Sequence, residues 1–233
     1  MPALRVDIWS DIACPWCYIG KRHLEAALTG FPHPVEIVWR SFELDPDPVR
    51  DPDQSLIDRL RAKYGVPLAQ AQAMIDRTAG VAAKDGLALR FDRVRPANTF
   101  DGHRLIHLAR AHGKQDAMKE RLMKAHFIDG EPVGDRAVLV RLAAEVGLDA
   151  AATLASDAYA DDVRADERLA RELGVSGVPF FVMAGRIGVS GAQPTEVLRG
   201  ALERAWAEQP AEVADGPACG PDGPRGSSAS GDC

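Results

Sequence analysis

The chain has 233 residues, of which 46% are hydrophobic and 27% charged. These proportions exclude a disordered or collagen-like polymer and allow one large domain or two small ones at roughly 100–200 residues each. The formal net charge of -6, from 34 acidic and 28 basic residues, gains little from a phosphate backbone and argues against nucleic acid as a partner.

No apolar run approaches the ~18 residues that cross a bilayer, so no membrane partner is expected. The opening residues lack a basic stretch followed by about 7–15 apolar ones, and the protein reads as cytoplasmic. Leu4, Val6 and Ile8 alternate with Arg5, Asp7 and Trp9, which predicts a short strand. Pro15 to Leu28 then reads as a helix, with Pro15 suited to the first turn and Thr29-Gly30 as the stop. Pro34 to Phe42 alternates β-branched and aromatic residues and predicts a second strand. Strand, helix and strand make a βαβ unit and hence an α/β sheet.

After the Asp- and Pro-rich connector around Asp45 to Pro52, helical stretches follow one another with almost no strand signal. They run over Leu56–Tyr64, Leu68–Ala83, Thr99–Ala111, Gln115–Phe127, Arg136–Val146 and Ala158–Leu173, punctuated by Gly or Pro. Val178–Met183 and Arg186–Ser190 form a hairpin around Ala184-Gly185, and Pro194–Trp206 is a final amphipathic helix. Residues 210–233 are rich in Gly, Pro, Ala and Ser and are expected to form a flexible tail.

The 4 cysteines are Cys14, Cys17, Cys219 and Cys233, too few for a disulfide-stapled scaffold. Cys14-Pro15-Trp16-Cys17 lies between a strand and a helix. A helix N-terminus offers unpaired N–H groups and about half a positive charge. Cysteines in such places have pKa values of ~3.5–7.5 against ~8.5 for a free thiol. Cys14 at the head should face solvent as the attacking sulfur, and Cys17, one turn in, should be shielded as the resolving one. A zinc site would use the same pair, but tetrahedral zinc wants four ligands, and the folded part has no second such pair. Cys14 and Cys17 could also be plain structural thiols. Asp7, seven residues before Cys14, reads as a solvated strand residue rather than a buried proton acceptor.

Ser10-Asp11, Cys14-Pro15-Trp16-Cys17-Tyr18-Ile19-Gly20, Asn98 to Leu108, Gly174 to Val182 and Val189 to Pro194 together resemble the thioredoxin-fold DsbA family, over residues 4–209. The sequence is most similar to the cytoplasmic FrnE-like branch of dithiol–disulfide isomerases. The resemblance implies a thioredoxin fold with a large all-helical insertion between the N-terminal βαβ unit and the C-terminal ββα unit. Residues 1–50 and 174–209 would then form the thioredoxin-like domain and residues 51–173 the inserted helical domain.

It implies Cys14 as nucleophile, Cys17 as resolving thiol and Pro179 as a cis-proline whose neighbour Val178 pairs with an extended substrate. Pro15, Trp16, Val178, Asn98 and His103 are the candidate substrate contacts; Asn98 is equally readable as the cap of a helix. The family's compact C-terminal cysteine pair is absent: 13 residues separate Cys219 from Cys233, which are either auxiliary thiols or unstructured ones. The implied activity is thiol–disulfide exchange on proteins or small thiols, with no metal, no resident cofactor beyond the redox-active disulfide, and glutathione as a possible co-substrate. A glutathione-dependent isomerase of the kappa-class or 2-hydroxychromene-2-carboxylate type shares the fold but carries Ser where this chain has Cys14. A peptide-binding chaperone module without redox turnover is the other alternative. The sequence carries no signal of oligomeric state.

Overall fold

The computed structural model describes residues 3–47 and 54–209. Strand β1 (Leu4–Ser10), helix α1 (Pro15–Leu28) and strand β2 (Val35–Ser41) open the chain. Seven helices follow: α2 (Leu56–Tyr64), α3 (Leu68–Lys84), α4 (Phe100–Ala111), α5 (Gln115–Lys124), α6 (Arg136–Glu145), α7 (Ala151–Leu154) and α8 (Ala160–Glu172). Strands β3 (Phe180–Met183) and β4 (Ile187–Ser190) and helix α9 (Thr195–Ala207) close it. The sheet order is β2-β1-β3-β4. β1 runs parallel to β2, with Leu4 opposite Val35 and Ser10 opposite Ser41, and antiparallel to β3, with Trp9 opposite Phe180. This is the mixed sheet of a thioredoxin fold with its helical insertion between β2 and β3.

Successive strand residues point to opposite faces. On β1, Leu4, Val6 and Ile8 join the main apolar cluster, which also holds Leu24 of α1, Leu105 of α4, Leu122 of α5 and Leu202 of α9. Trp9 points the other way, into a cluster with Ala170 and Val175. Both faces of the central strand are therefore covered, and the dithiol hangs from a rigid element.

Local chemistry sets the helix ends. Ser55 accepts from the Asp58 N–H at the head of α2, whose end at Gly65 is left-handed. Asp135 accepts from Ala137 and Val138 at the head of α6. The structure departs from the sequence expectation in three places. Helix α5 stops at Lys124, and Ala125–Asp129 forms a π turn where a helix to Phe127 was expected. The short α7 was not foreseen. Strand β3 starts at Phe180 rather than Val178, because Pro179 has no N–H to give to a ladder. The tail, with Cys219 and Cys233, lies outside the described residues. Among those described, no helix is long and apolar enough to cross a membrane.

Candidate active site: a dithiol bordering a cavity

Cys14 occupies the N-cap position of α1, with φ -101 and ψ 112, and Pro15 begins the helix. Its carbonyl accepts from the Cys17 N–H at 3.1 Å and the Tyr18 N–H at 3.4 Å, which fixes both cysteines on the first turn. Both are free thiols. The Cys14 sulfur does not face open solvent as the sequence suggested. The residue is 4% exposed, because its Sγ donates to the Val178 carbonyl at 3.5 Å. Val178–Pro179 is a cis peptide, and Pro179 lies against α1 at Gly20, where a Cβ would come within 2.9 Å of the Pro179 ring. Any side chain at position 20 would push that loop away from Cys14. Cys17 is buried a turn below, in an apolar group with Tyr18, Met123 and Phe127.

A buried charge pattern surrounds the sulfurs. The Asp11 carboxylate accepts from the Leu44 N–H and the Thr99 hydroxyl, each at 2.8 Å, and His103 Nε2 lies 3.4 Å away. Burial pushes the Asp11 pKa up, but the His103, Leu44 and Thr99 partners outweigh it and hold the carboxyl at about 2. Lys119 from α5 is fully buried and donates to the Ser10 carbonyl at 3.1 Å. Burial lowers its ammonium to about 8, against the pull of Cys17 and Asp11.

The two thiols are shifted in opposite directions. Bonding to Cys17, then burial, push the Cys14 thiol up. For Cys17, burial is outweighed by the Cys14 bond and the Lys119 charge, so its thiol lies below the usual range. Of the two, the inner sulfur ionises the more readily, where the sequence had favoured the outer one, because the Lys119 charge acts on Cys17 and the Val178 carbonyl takes the outer S–H.

Cys14 borders a cavity of about 920 Å³ between the sheet end and the insertion. Asp11, Pro15 and Trp16 share its floor; Leu56, Arg59 and Leu60 of α2, Met74 of α3, Phe91, His126 and Phe127 contribute walls. Trp16 is 37% exposed at the rim. Val178 and Pro179 are not part of the cavity wall. Asn98 is not a wall residue either: its Oδ1 accepts from the Phe100 N–H at 3.0 Å, and its amide donates to the Pro46 carbonyl at 3.2 Å. It caps the start of α4, whose N-cap position is Thr99.

His103 is corrected from a surface or groove residue to a buried one behind Asp11, because the Asp11 carboxylate offers it a partner in the interior. Asp7 is likewise not solvated: Arg5 donates to it at 2.9 Å and Arg40 at 2.8 Å. Among the described residues, no group of three or more His, Cys, Asp or Glu side chains could hold a metal ion.

Sequence reasoning missed Asp11, Lys119 and His126 as site residues. Lys119 was detectable in principle, since it falls on one helical face with Gln115, Leu122 and Met123, all of them buried.

The chain matches the model of the DSBA-like thioredoxin domain over residues 5–203. It is 51% identical to a probable DsbA oxidoreductase from Streptomyces coelicolor, covering 94% of this chain and 97% of that one with a TM-score of 0.85. It is 29% identical to the uncharacterised protein YwbO of Bacillus subtilis over 213 residues, 85% of this chain and 96% of that protein. The cytosolic disulfide reductase DsbM of Pseudomonas aeruginosa, solved with GSH, shares the fold at 23% identity and a TM-score of 0.61, over 87% of this chain and 99% of that one.

Proposed function

Because the chain belongs to the family of DSBA-like thioredoxin domains, we propose that it is a thiol–disulfide oxidoreductase or isomerase whose reacting pair is Cys14 and Cys17. One observation carries the reading: two free thiols share the first turn of α1, and the outer one both meets the Val178 carbonyl and borders a cavity. In the reducing direction, the Cys14 proton passes to Cys17, which moves charge between the sulfurs without changing the total. The Cys14 thiolate attacks a substrate sulfur; the substrate S–S bond breaks, one substrate thiolate leaves, and a mixed disulfide forms. Cys17 passes its proton to the released substrate thiolate, its own thiolate attacks the Cys14 sulfur, the mixed disulfide breaks, and the second substrate sulfur departs as a thiolate. Two electrons pass from the dithiol to the substrate, and the enzyme ends as the Cys14–Cys17 disulfide.

Substrates of this reading are protein or small-molecule disulfides. Glutathione serves as the thiol that restores the dithiol, and no resident cofactor is needed. In a reducing cytosol the reductase or isomerase direction is favoured over net oxidation. The FrnE-like assignment rests on the sequence segments quoted above. Insulin reduction tests the proposal: Cys14→Ser is expected to lose all turnover, and undiminished activity in that variant would overturn it.

A further inference from the structure

The dithiol explains the floor of the cavity but not all of its walls. There α5 gives way to the π turn Ala125–Asp129, a rare element that is frequent at functional sites. The turn is held in place on both sides. The Phe127 carbonyl accepts from the Arg90 N–H at 2.7 Å and the Ala125 carbonyl from the Glu131 N–H at 2.8 Å. Gly130 closes it at φ +74, where a Cβ would come within 2.6 Å of Arg93.

What the turn presents is His126. The residue is 3% exposed, its ring lines the cavity, and its Nδ1 has no hydrogen-bond partner. The ring leans edge-on against Phe127 with centroids 4.6 Å apart, so packing fixes its orientation. Nearly every buried polar atom in a folded protein is satisfied; because the Nδ1 edge is sealed from solvent, a ligand in the cavity meets the ring at its Nε2 edge. Burial pushes the imidazole down to about 4, so it is a neutral group with one donor and one acceptor. It suits an amide or hydroxyl rather than a carboxylate.

The size of the partner follows from access. The Cys14 sulfur is hidden from bulk solvent and met through a cavity whose volume falls in the ~300–1,000 Å³ range of small-molecule sites.

Building on the dithiol reading, we infer that His126 is a specificity-determining residue for a small disulfide, whose amide or hydroxyl group bonds its ring while its sulfurs lie at Cys14. Pre-reduced protein is mixed with increasing glutathione disulfide, and oxidation of the Cys14–Cys17 pair is followed by tryptophan fluorescence. The dithiol supplies two electrons, and each disulfide yields two glutathione thiols. His126→Phe is expected to raise the half-saturating concentration about tenfold with the limiting rate within twofold; His126→Gln, which keeps a donor and an acceptor, restores it to within threefold. His126→Leu takes the place of the Phe variant if that protein does not fold. An unchanged half-saturating concentration in the apolar variant, or a wild type that reduces insulin but does not saturate with glutathione disulfide, overturns the inference and leaves the dithiol reading standing. A wild type oxidised by neither substrate overturns both.

Discussion

Two buried lysines, Lys21 on α1 and Lys119 on α5, behave in opposite ways. Lys21 is 3% exposed and is surrounded by carboxylates: Glu25 one turn on, Asp116 at 3.1 Å and Glu120 at 3.3 Å. Burial works against its charge, yet Glu25, Asp116 and Glu120 raise its pKa. Lys119 is buried as deeply but meets a carbonyl and, at 5.6 Å, the Trp39 ring, so burial wins and its pKa falls. The contrast teaches that one buried cation ties α1 to α5 and the other is left responsive to the sulfurs. A carboxylate-saturated lysine has no field to spare, whereas a lysine on a lone carbonyl still projects its charge onto Cys17.

The strongest way to break this contrast is stability against pH. The folded Lys119 pKa of about 8 lies below the ~10.4 of an unfolded lysine. Between those values the unfolded chain binds more protons, so Lys119 makes stability rise with pH. In urea unfolding, wild type should gain about 2 kcal/mol more than Lys119→Met on going from pH 8 to pH 10. Equal gains would show that Lys119 is not held near 8.

A smaller effect concerns the thiols. Removing the Lys119 charge is expected to raise the first ionisation of the dithiol, because that charge holds the Cys17 thiol down, and so to slow attack on a disulfide at pH 7. Thiolate absorbance against pH checks this; an unmoved curve would mean that the α1 dipole and the Cys14 bond suffice. The smallest effect is expected at Lys21→Met. It leaves three partly exposed carboxylates facing one another and lowers stability, with the thiolate curve unchanged. A shifted curve there would erase the distinction between the two lysines.

The frame was readable because its signals are local. Alternation marked β1, Pro15 marked the head of α1, and the spacing of Cys14 and Cys17 declared a shared helical turn. The chemistry around the sulfurs was not, because it is assembled from segments far apart in the chain. Asp11 read only as the break after a strand; what makes it a buried anion is Leu44 and Thr99 arriving from β2's exit and the head of α4. His103 looked like a groove residue for want of that same neighbour. His126 was hidden by the smooth helical pattern through Phe127, since nothing in a single sequence marks where α5 loosens into a π turn. The anion's position within the dithiol depended on a lysine more than a hundred residues away.

The register of the sheet has one further consequence. Ser41 is level with Ser10 and Phe180 with Trp9, so the insertion leaves and rejoins the frame at the same end of the sheet, on either side of the strand that delivers Cys14. Swaying of that long excursion would widen or narrow the entrance while the sulfurs, anchored to the central strand, keep their spacing. Selectivity and reactivity are thereby hinged apart as far as Lys119 is kept: grafting a different excursion that preserves this lysine onto the same two stems should alter which molecules are admitted long before it alters what is done to them.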